Sequence, residues 1–314
     1  MSCVLITGSE GLVGGALRSR LEAEGYGVRG FDVRAPEESG EYGDIRDPEQ
    51  LRRAVAGCDG VVHLAAVSRV VWGQREPDRC WETNAVGTEN VLEAARQSDR
   101  TEWVVTASSR EVYGQPDELP AVESLPVEPV NIYGESKVAG ERATEQFGRA
   151  DLDTAIVRLS NVYGRTDDYH DRVVPAFTRG AVLGETLRID GSDHTFDFTH
   201  IDDTVRGLVR VVDVLGAGEG SLPPIHLLTG RATTLGELAE LAIGHAGTDT
   251  DVREAPPRSF DVSHFYGDPS RAERLLGWEP RVDIDEGVRR LVSDFAAELA
   301  DSSDKLRKPA SLHV

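Results

Sequence analysis

The chain has 314 residues, long enough to bury a substantial core in one large domain or two smaller ones without disulfides. Its 55 acidic residues outweigh 34 basic ones for a formal charge of −21, which excludes the basic surface that nucleic acid or an anionic membrane would need. Cys3, Cys58 and Cys80 are odd in number, far apart and without CxxC spacing, which argues against a zinc site or a redox pair and fits a reducing compartment.

Only Lys137, Lys305 and Lys308 are lysines. An acidic, lysine-poor surface is expected of a protein that stays soluble in concentrated salt. A GC-rich genome that replaces Lys by Arg would also deplete lysine, but the sign and size of the charge favour the halophilic reading. From Met1 the chain passes directly into Val4-Leu5-Ile6 with no basic region or cleavage site, and no apolar run reaches membrane-spanning length. A soluble, cytoplasmic protein is expected.

Taken in chain order, short apolar runs at 4–7, 27–32, 60–65, 103–107, 154–159 and 225–228 read as strands. Between them, 12–24, 48–56, 81–97 and 133–147 read as helices. Nearly continuous apolar strands alternating with helices predict an α/β protein with a parallel sheet covered on both faces. After Gly164 the strand-like fragments become short and scattered. Helices are predicted at 203–215, 235–246 and 291–299, and 258–269 is an aromatic and polar loop suited to closing over a ligand. The expected division is a Rossmann-type domain from 1–163 and 199–230, a smaller substrate lobe from 164–198 and 231–300, and a disordered tail at 301–314.

The first strand runs into Gly8-Ser9-Glu10-Gly11-Leu12-Val13-Gly14, which spaces glycines three apart where a helix begins. Such a turn lets the backbone approach a pyrophosphate while the helix N-terminus favours its charge. Asp32 ends the second strand, where a carboxylate bonds the adenosine ribose and repels a 2′-phosphate, so NAD is expected over NADP. Arg34 is the residue that could compensate. Asp44 and Ile45 follow the next turn.

Tyr133-Gly134-Glu135-Ser136-Lys137 places a phenol and an ammonium on one helix face. A phenol is a poor base at neutral pH, and a neighbouring cation favours its ionised form.

The succession of the glycine-rich turn, Ser108-Ser109-Arg110-Glu111-Val112-Tyr113-Gly114 and Tyr133 to Lys137 resembles the extended short-chain dehydrogenase/reductases, specifically the NAD-dependent nucleotide-sugar epimerase and dehydratase family. His63-Leu64-Ala65-Ala66, Asn84-Ala85-Val86-Gly87-Thr88, Arg158 to Gly164 and Asp197-Phe198-Thr199-His200-Ile201-Asp202-Asp203 extend the likeness over most of the chain. The resemblance implies that Ser109 bonds the reacting hydroxyl, Tyr133 is the base and Lys137 bonds the nicotinamide ribose. It also implies that Gly8, Gly11, Leu12, Val13, Gly14, Asp32, Asp44, Ile45, Leu64, Ala65, Ala66 and Asn84 line NAD. Asn161 and Arg258 would meet the sugar nucleotide, and His200 is a strand-end residue, so no metal is expected.

Two positions depart from the family pattern. Glu111 matches an acidic residue of 4,6-dehydratases and glucuronate decarboxylases, but Arg110 replaces the dehydratase aspartate that supplies the acid for water loss, and the two could pair with each other. Phe196 stands where an arginine for the substrate phosphate is common. The implied reaction is 4-epimerisation of a nucleoside-diphosphate sugar through transient oxidation at C4. Decarboxylation of a nucleoside-diphosphate glucuronate or 4,6-dehydration shares that first oxidation, and an NAD-binding regulator without chemistry is the alternative of another class. Related enzymes pair the helices at 81–97 and 133–147 into a homodimer. Val86, Val91 and Leu92 could serve that interface or the protein's own sheet.

Overall fold

The computed structural model describes residues 2–148, 151–256 and 262–307. Its centre is a six-stranded, all-parallel sheet. The strands β1 (Cys3–Thr7), β2 (Gly27–Phe31), β3 (Gly60–His63), β4 (Trp103–Ser109) and β5 (Asp153–Leu159) are joined by a sixth, Ile225–Leu227. The spatial order is Ile225–Leu227, β5, β4, β3, β1, β2, so the chain reverses its direction of travel across the sheet between β1 and β3. A crevice opens at the carboxyl ends of the strands at such a reversal. Tyr42 makes a single bridge to Asp32 at the outer edge.

The strands are apolar because both faces are covered. Val4, Ile6, Val62, Val105 and Val157 pack with Leu17 and Leu21 of helix α1 (Leu12–Ala23) and with the helix Ile201–Gly216, while Leu5, Val61 and Val104 pack on the opposite side with Leu51, Val91 and Leu92. Val91 and Leu92 therefore serve the protein's own core. The helix Pro48–Val55 starts where Asp47 caps it, its Oδ1 accepting from the amides of Glu49 and Gln50 at 2.9 and 3.2 Å, with Pro48 in the first turn.

The expected helix at 81–97 is interrupted. A short helix, Pro77–Trp81, leads into a π-helical turn, Glu82–Val86, before Gly87–Arg96 resumes α-helical winding. The wider turn contains Asn84, whose side chain is committed to the neighbouring loop. A helix at Val173–Leu183, absent from the sequence reading, packs with Leu235–Ala246 and with the last helix, Ile284–Arg307, in a second apolar core. That last helix starts earlier than expected and continues past Asp301, where a tail was expected. Ala272, Leu276 and Trp278 bury against the first core, although the expected boundaries put 231–300 in the smaller lobe.

Candidate active site

At the end of β1 the backbone turns through Gly8, whose φ of +75° an L side chain rarely adopts. A Cβ on Gly8 would lie 2.7 Å from the Ala65 amide nitrogen, and one on Gly14 would lie 2.1 Å from the Gly8 carbonyl oxygen. Gly11 caps α1 without a side chain, and the first helical turn, Leu12, Val13 and Gly14, carries no acidic residue. The Ser9 hydroxyl is buried with no partner among the described residues. This bare, positively polarised helix end fits a pyrophosphate. Behind it Asp32 is buried, its Oδ2 accepting from the Glu10 amide at 3.0 Å and its Oδ1 from the Arg34 amide at 2.8 Å. Arg34 lies over the same carboxylate, Nε 3.5 Å from Oδ1. The cradle thus accommodates a dinucleotide.

The opposite wall is the segment after β3. Thr7 Oγ1 meets His63 Nδ1 at 2.7 Å, and His63 Nε2 meets Thr88 Oγ1 at 2.9 Å. Burial, with Lys137 nearby, lowers the His63 pKa to about 3. Leu64 donates to the Thr7 carbonyl, and the Ala65 amide reaches Thr7 Oγ1 at 3.3 Å. Asn84 clamps the loop just beyond Ala66: its Oδ1 accepts from the Val67 amide at 2.8 Å and its Nδ2 donates to the Val67 carbonyl at 3.0 Å. The amide that the resemblance assigns to the cofactor thus holds the loop after β3 in place. Asp44 has its carboxylate on Arg46 at 2.6 Å, which holds its pKa below the usual range, and Ile45 is buried beneath Gly87.

Ser109, Tyr133 and Lys137 converge although β4 and the helix Ile132–Gly148 are separated by a long loop. Lys137 Nζ donates to the carbonyl of Ala107 at 3.0 Å and lies 6.0 Å from the centroid of the Tyr133 ring. Ser109 accepts from the Glu111 amide at 3.2 Å. Burial pushes the Tyr133 phenol up to about 12, against which Ser109 and the Arg172 charge act, and burial lowers Lys137 to about 8. The helix is held to the sheet from its far side as well: Glu141 bonds Ser108 and makes a two-pronged pair with Arg158 of β5.

A cavity of about 360 Å³ opens beside this group and is lined by Ser109, Arg110, Glu111, Tyr133, Asn161 and Phe196, among others. Arg110 and Glu111 do pair, Nη2 to Oε1 at 2.9 Å, and Asn131 donates to the other carboxylate oxygen of Glu111 at 2.9 Å. Asn161 Nδ2 is buried without a partner among the described residues, as a side chain meant for a ligand would be. Arg258 lies outside the described residues. His200 caps the helix Ile201–Gly216, its Nδ1 accepting from the Asp202 amide at 3.2 Å.

Sequence reasoning missed Arg69, Arg172 and Arg188 on the cavity wall. Arg69 pairs with Asp171 at 2.6 Å and Arg188 with Asp190 at 2.8 Å, while Arg172 lies 3.6 Å from the buried Asp168. No local motif marks them: Arg69 meets Asp171 from 102 positions away, and Arg188 lies on a strand the sequence presents only weakly.

The model of the NAD dependent epimerase/dehydratase family matches residues 4–221. A UDP-glucose 4-epimerase of Mycolicibacterium smegmatis is 33% identical over 93% of this chain and 97% of its own length. Among solved structures, the UDP-glucose 4-epimerase of Thermotoga maritima with UDP-glucose has a TM-score of 0.87 at 30% identity, covering 95% of this chain and 99% of that one. MoeE5 in complex with UDP-glucuronic acid and NAD has a TM-score of 0.87 at 28% identity, covering 95% of this chain and 100% of that one. The matches also include UDP-glucuronic acid decarboxylases and a dTDP-glucose 4,6-dehydratase.

Proposed function

The chain belongs to the NAD-dependent epimerase/dehydratase family, and on that premise we propose that it is a nucleoside-diphosphate-sugar 4-epimerase. The observation that carries the reading is the meeting of Ser109 and Tyr133 at one cavity, with Lys137 6.0 Å from the Tyr133 ring and tied to the Ala107 carbonyl, beside a glycine turn and Asp32 that fit a dinucleotide.

NAD, held by the glycine turn and Asp32, would supply the acceptor and donor of the sugar's C4 hydride. Ser109 orients the C4 hydroxyl, and Tyr133 takes its proton. Burial opposes that step, and even with Ser109 and Arg172 acting against it the phenol stands near 12. The Arg172 charge lowers the cost of the phenolate, and Lys137, at about 8, keeps most of its charge at neutral pH beside it. Once the keto sugar has presented its other face, Tyr133 returns the proton to the C4 oxygen, which completes inversion at C4. Asn161, and Arg258 outside the described residues, would hold the nucleotide diphosphate. Glu111 is the acidic residue that dehydration or decarboxylation would use, and its commitment to Arg110 and Asn131 favours epimerisation.

The residues assigned to NAD follow the same proposal: Gly8, Gly11, Leu12, Val13, Gly14 and Asp32 with Leu64 to Ala66, and Asn84 as the residue that positions that loop. Two lobes, with the substrate between them, belong to the reading. So does a homodimer through the helical segment that exposes Trp81 and Val86, 41% and 42% accessible in the single chain. The acidic surface supports a halophilic origin and the absence of a nucleic-acid partner. No helix among the described residues is long and apolar enough to cross a membrane.

The test is incubation of the NAD-loaded protein with UDP-glucose, UDP-galactose, UDP-glucuronate and UDP-galacturonate. Interconversion of either C4-epimeric pair supports the reading. Loss of carbon dioxide or water, or no product from any of them, contradicts it.

A further inference from the structure

The two places where the sequence departs from its family's pattern lie against each other. The guanidinium carbon of Arg110 sits 4.6 Å from the centroid of the Phe196 ring and 5.8 Å from that of Phe265. Its Nη2 is on Glu111, while its Nη1 is buried and has no partner among the described residues. A guanidinium does not deprotonate in a protein, so Nη1 carries donors that are costly to leave unmatched out of water. Arg110 lines the same cavity as Ser109 and Tyr133. The missing acceptor therefore belongs to the molecule that fills the cavity, close to its reacting hydroxyl.

In a pyranose that reacts at C4, the diphosphate hangs from C1 across the ring, so it is not the group beside Ser109. The neighbours of C4 are C3, with a hydroxyl, and C5, which carries C6. An anion next to the reacting carbon is a C6 carboxylate. Resting on the 4-epimerase reading, we propose that Arg110 determines specificity by binding that carboxylate, and that the substrate is a nucleoside-diphosphate hexuronate rather than a neutral hexose. Glu111 does not oppose this, because Arg110 and Asn131 occupy its two oxygens. The Phe196 face fixes the guanidinium plane and supplies a cation–π contact. A neutral hydroxymethyl group would offer the same donor a weaker acceptor.

The experiment compares UDP-glucuronate with UDP-glucose on the full chain loaded with NAD. The wild type should favour UDP-glucuronate in kcat/KM by about 10-fold or more, chiefly through KM, as expected for one charge-assisted hydrogen bond. Arg110→Gln should collapse that ratio. Because this variant strands the buried Glu111, Arg110→Gln/Glu111→Gln is made alongside it, with calorimetric binding of both sugar nucleotides to NAD-loaded protein as a second readout. A wild type that converts UDP-glucose as efficiently, or variants that keep the preference in rate and binding, overturn the role of Arg110 and leave the epimerase reading standing. Tighter binding of UDP-glucuronate that depends on Arg110, without turnover of either compound, supports Arg110 and overturns the epimerase reading.

Discussion

Lys137 Nζ donates to the carbonyl of Ala107 at 3.0 Å, tying the helix Ile132–Gly148 to the strand that ends in Ser109. That bond sets the depth of the ammonium relative to the Tyr133 phenol. In Tyr133→Phe the bond and the dinucleotide cradle remain while the proton acceptor is lost. Turnover should fall by about 10²–10⁴-fold with NAD binding nearly unchanged, measured by steady-state kinetics and by cofactor titration. Turnover close to the wild type would remove Tyr133 from the mechanism.

Asp32 is held by two backbone amides and faced by Arg34, so its carboxylate is aimed before any ligand arrives. Asp32→Asn removes the charge that disfavours a 2′-phosphate and weakens the hydrogen bonds that ribose hydroxyls would donate to it. NAD affinity should drop about 10-fold or more and the preference over NADP should narrow. Fluorescence titration with both cofactors checks it, and an unchanged preference would assign the discrimination elsewhere.

His63 and His226 are buried and held neutral, each with its pKa lowered to about 3 first of all by desolvation. In the unfolded chain each takes a proton near pH 6.5, so between about 6.5 and 3 the unfolded state binds more protons than the fold. Stability is therefore fully present above pH 6.5 and is lost as the pH falls, at up to roughly 1.4 kcal/mol per histidine per pH unit. Urea midpoints between pH 7 and 4.5 should decline already above the carboxylate range. A flat profile down to pH 5 would mean that neither ring is buried neutral.

The net charge of −21 concentrates repulsion in the folded state even though many arginines pair with carboxylates across the surface. Raising the salt from low to molar concentration should increase the melting temperature, because screening relieves the repulsion of the excess carboxylates. A flat or falling melting temperature would reject the halophilic reading. In the same high salt, sedimentation at micromolar concentration should show a dimer, and a monomer alone would dismiss the interface at Trp81 and Val86.

How much of this was legible in the sequence depended on whether the signal was local. The central strands were readable because burial on both faces leaves an apolar run such as Val4-Leu5-Ile6, and the glycine turn because only glycine survives at Gly8 and Gly14. The helix Val173–Leu183 was missed because it is apolar over most of its circumference and packed between two other helices. The π-helical turn at Asn84 was missed because its cause is a bond to Val67, seventeen residues away. Ser109, Tyr133 and Lys137 were readable as motifs. The stacking of Arg110 on Phe196 was not, since it joins two oddities that are 86 positions apart in the chain.

The central claim, hydride removal and return at C4, is tested most directly by turnover in deuterated water with mass and NMR analysis of the product. Hydrogen that leaves C4 and comes back to C4 never meets solvent, so the product should carry no deuterium on carbon. Glu111→Gln should lower activity only modestly, because Glu111 is engaged by Arg110 and Asn131 rather than by a reacting carbon. Deuterium at C5 together with collapse of activity in Glu111→Gln would contradict epimerisation and assign the chain to dehydration or decarboxylation.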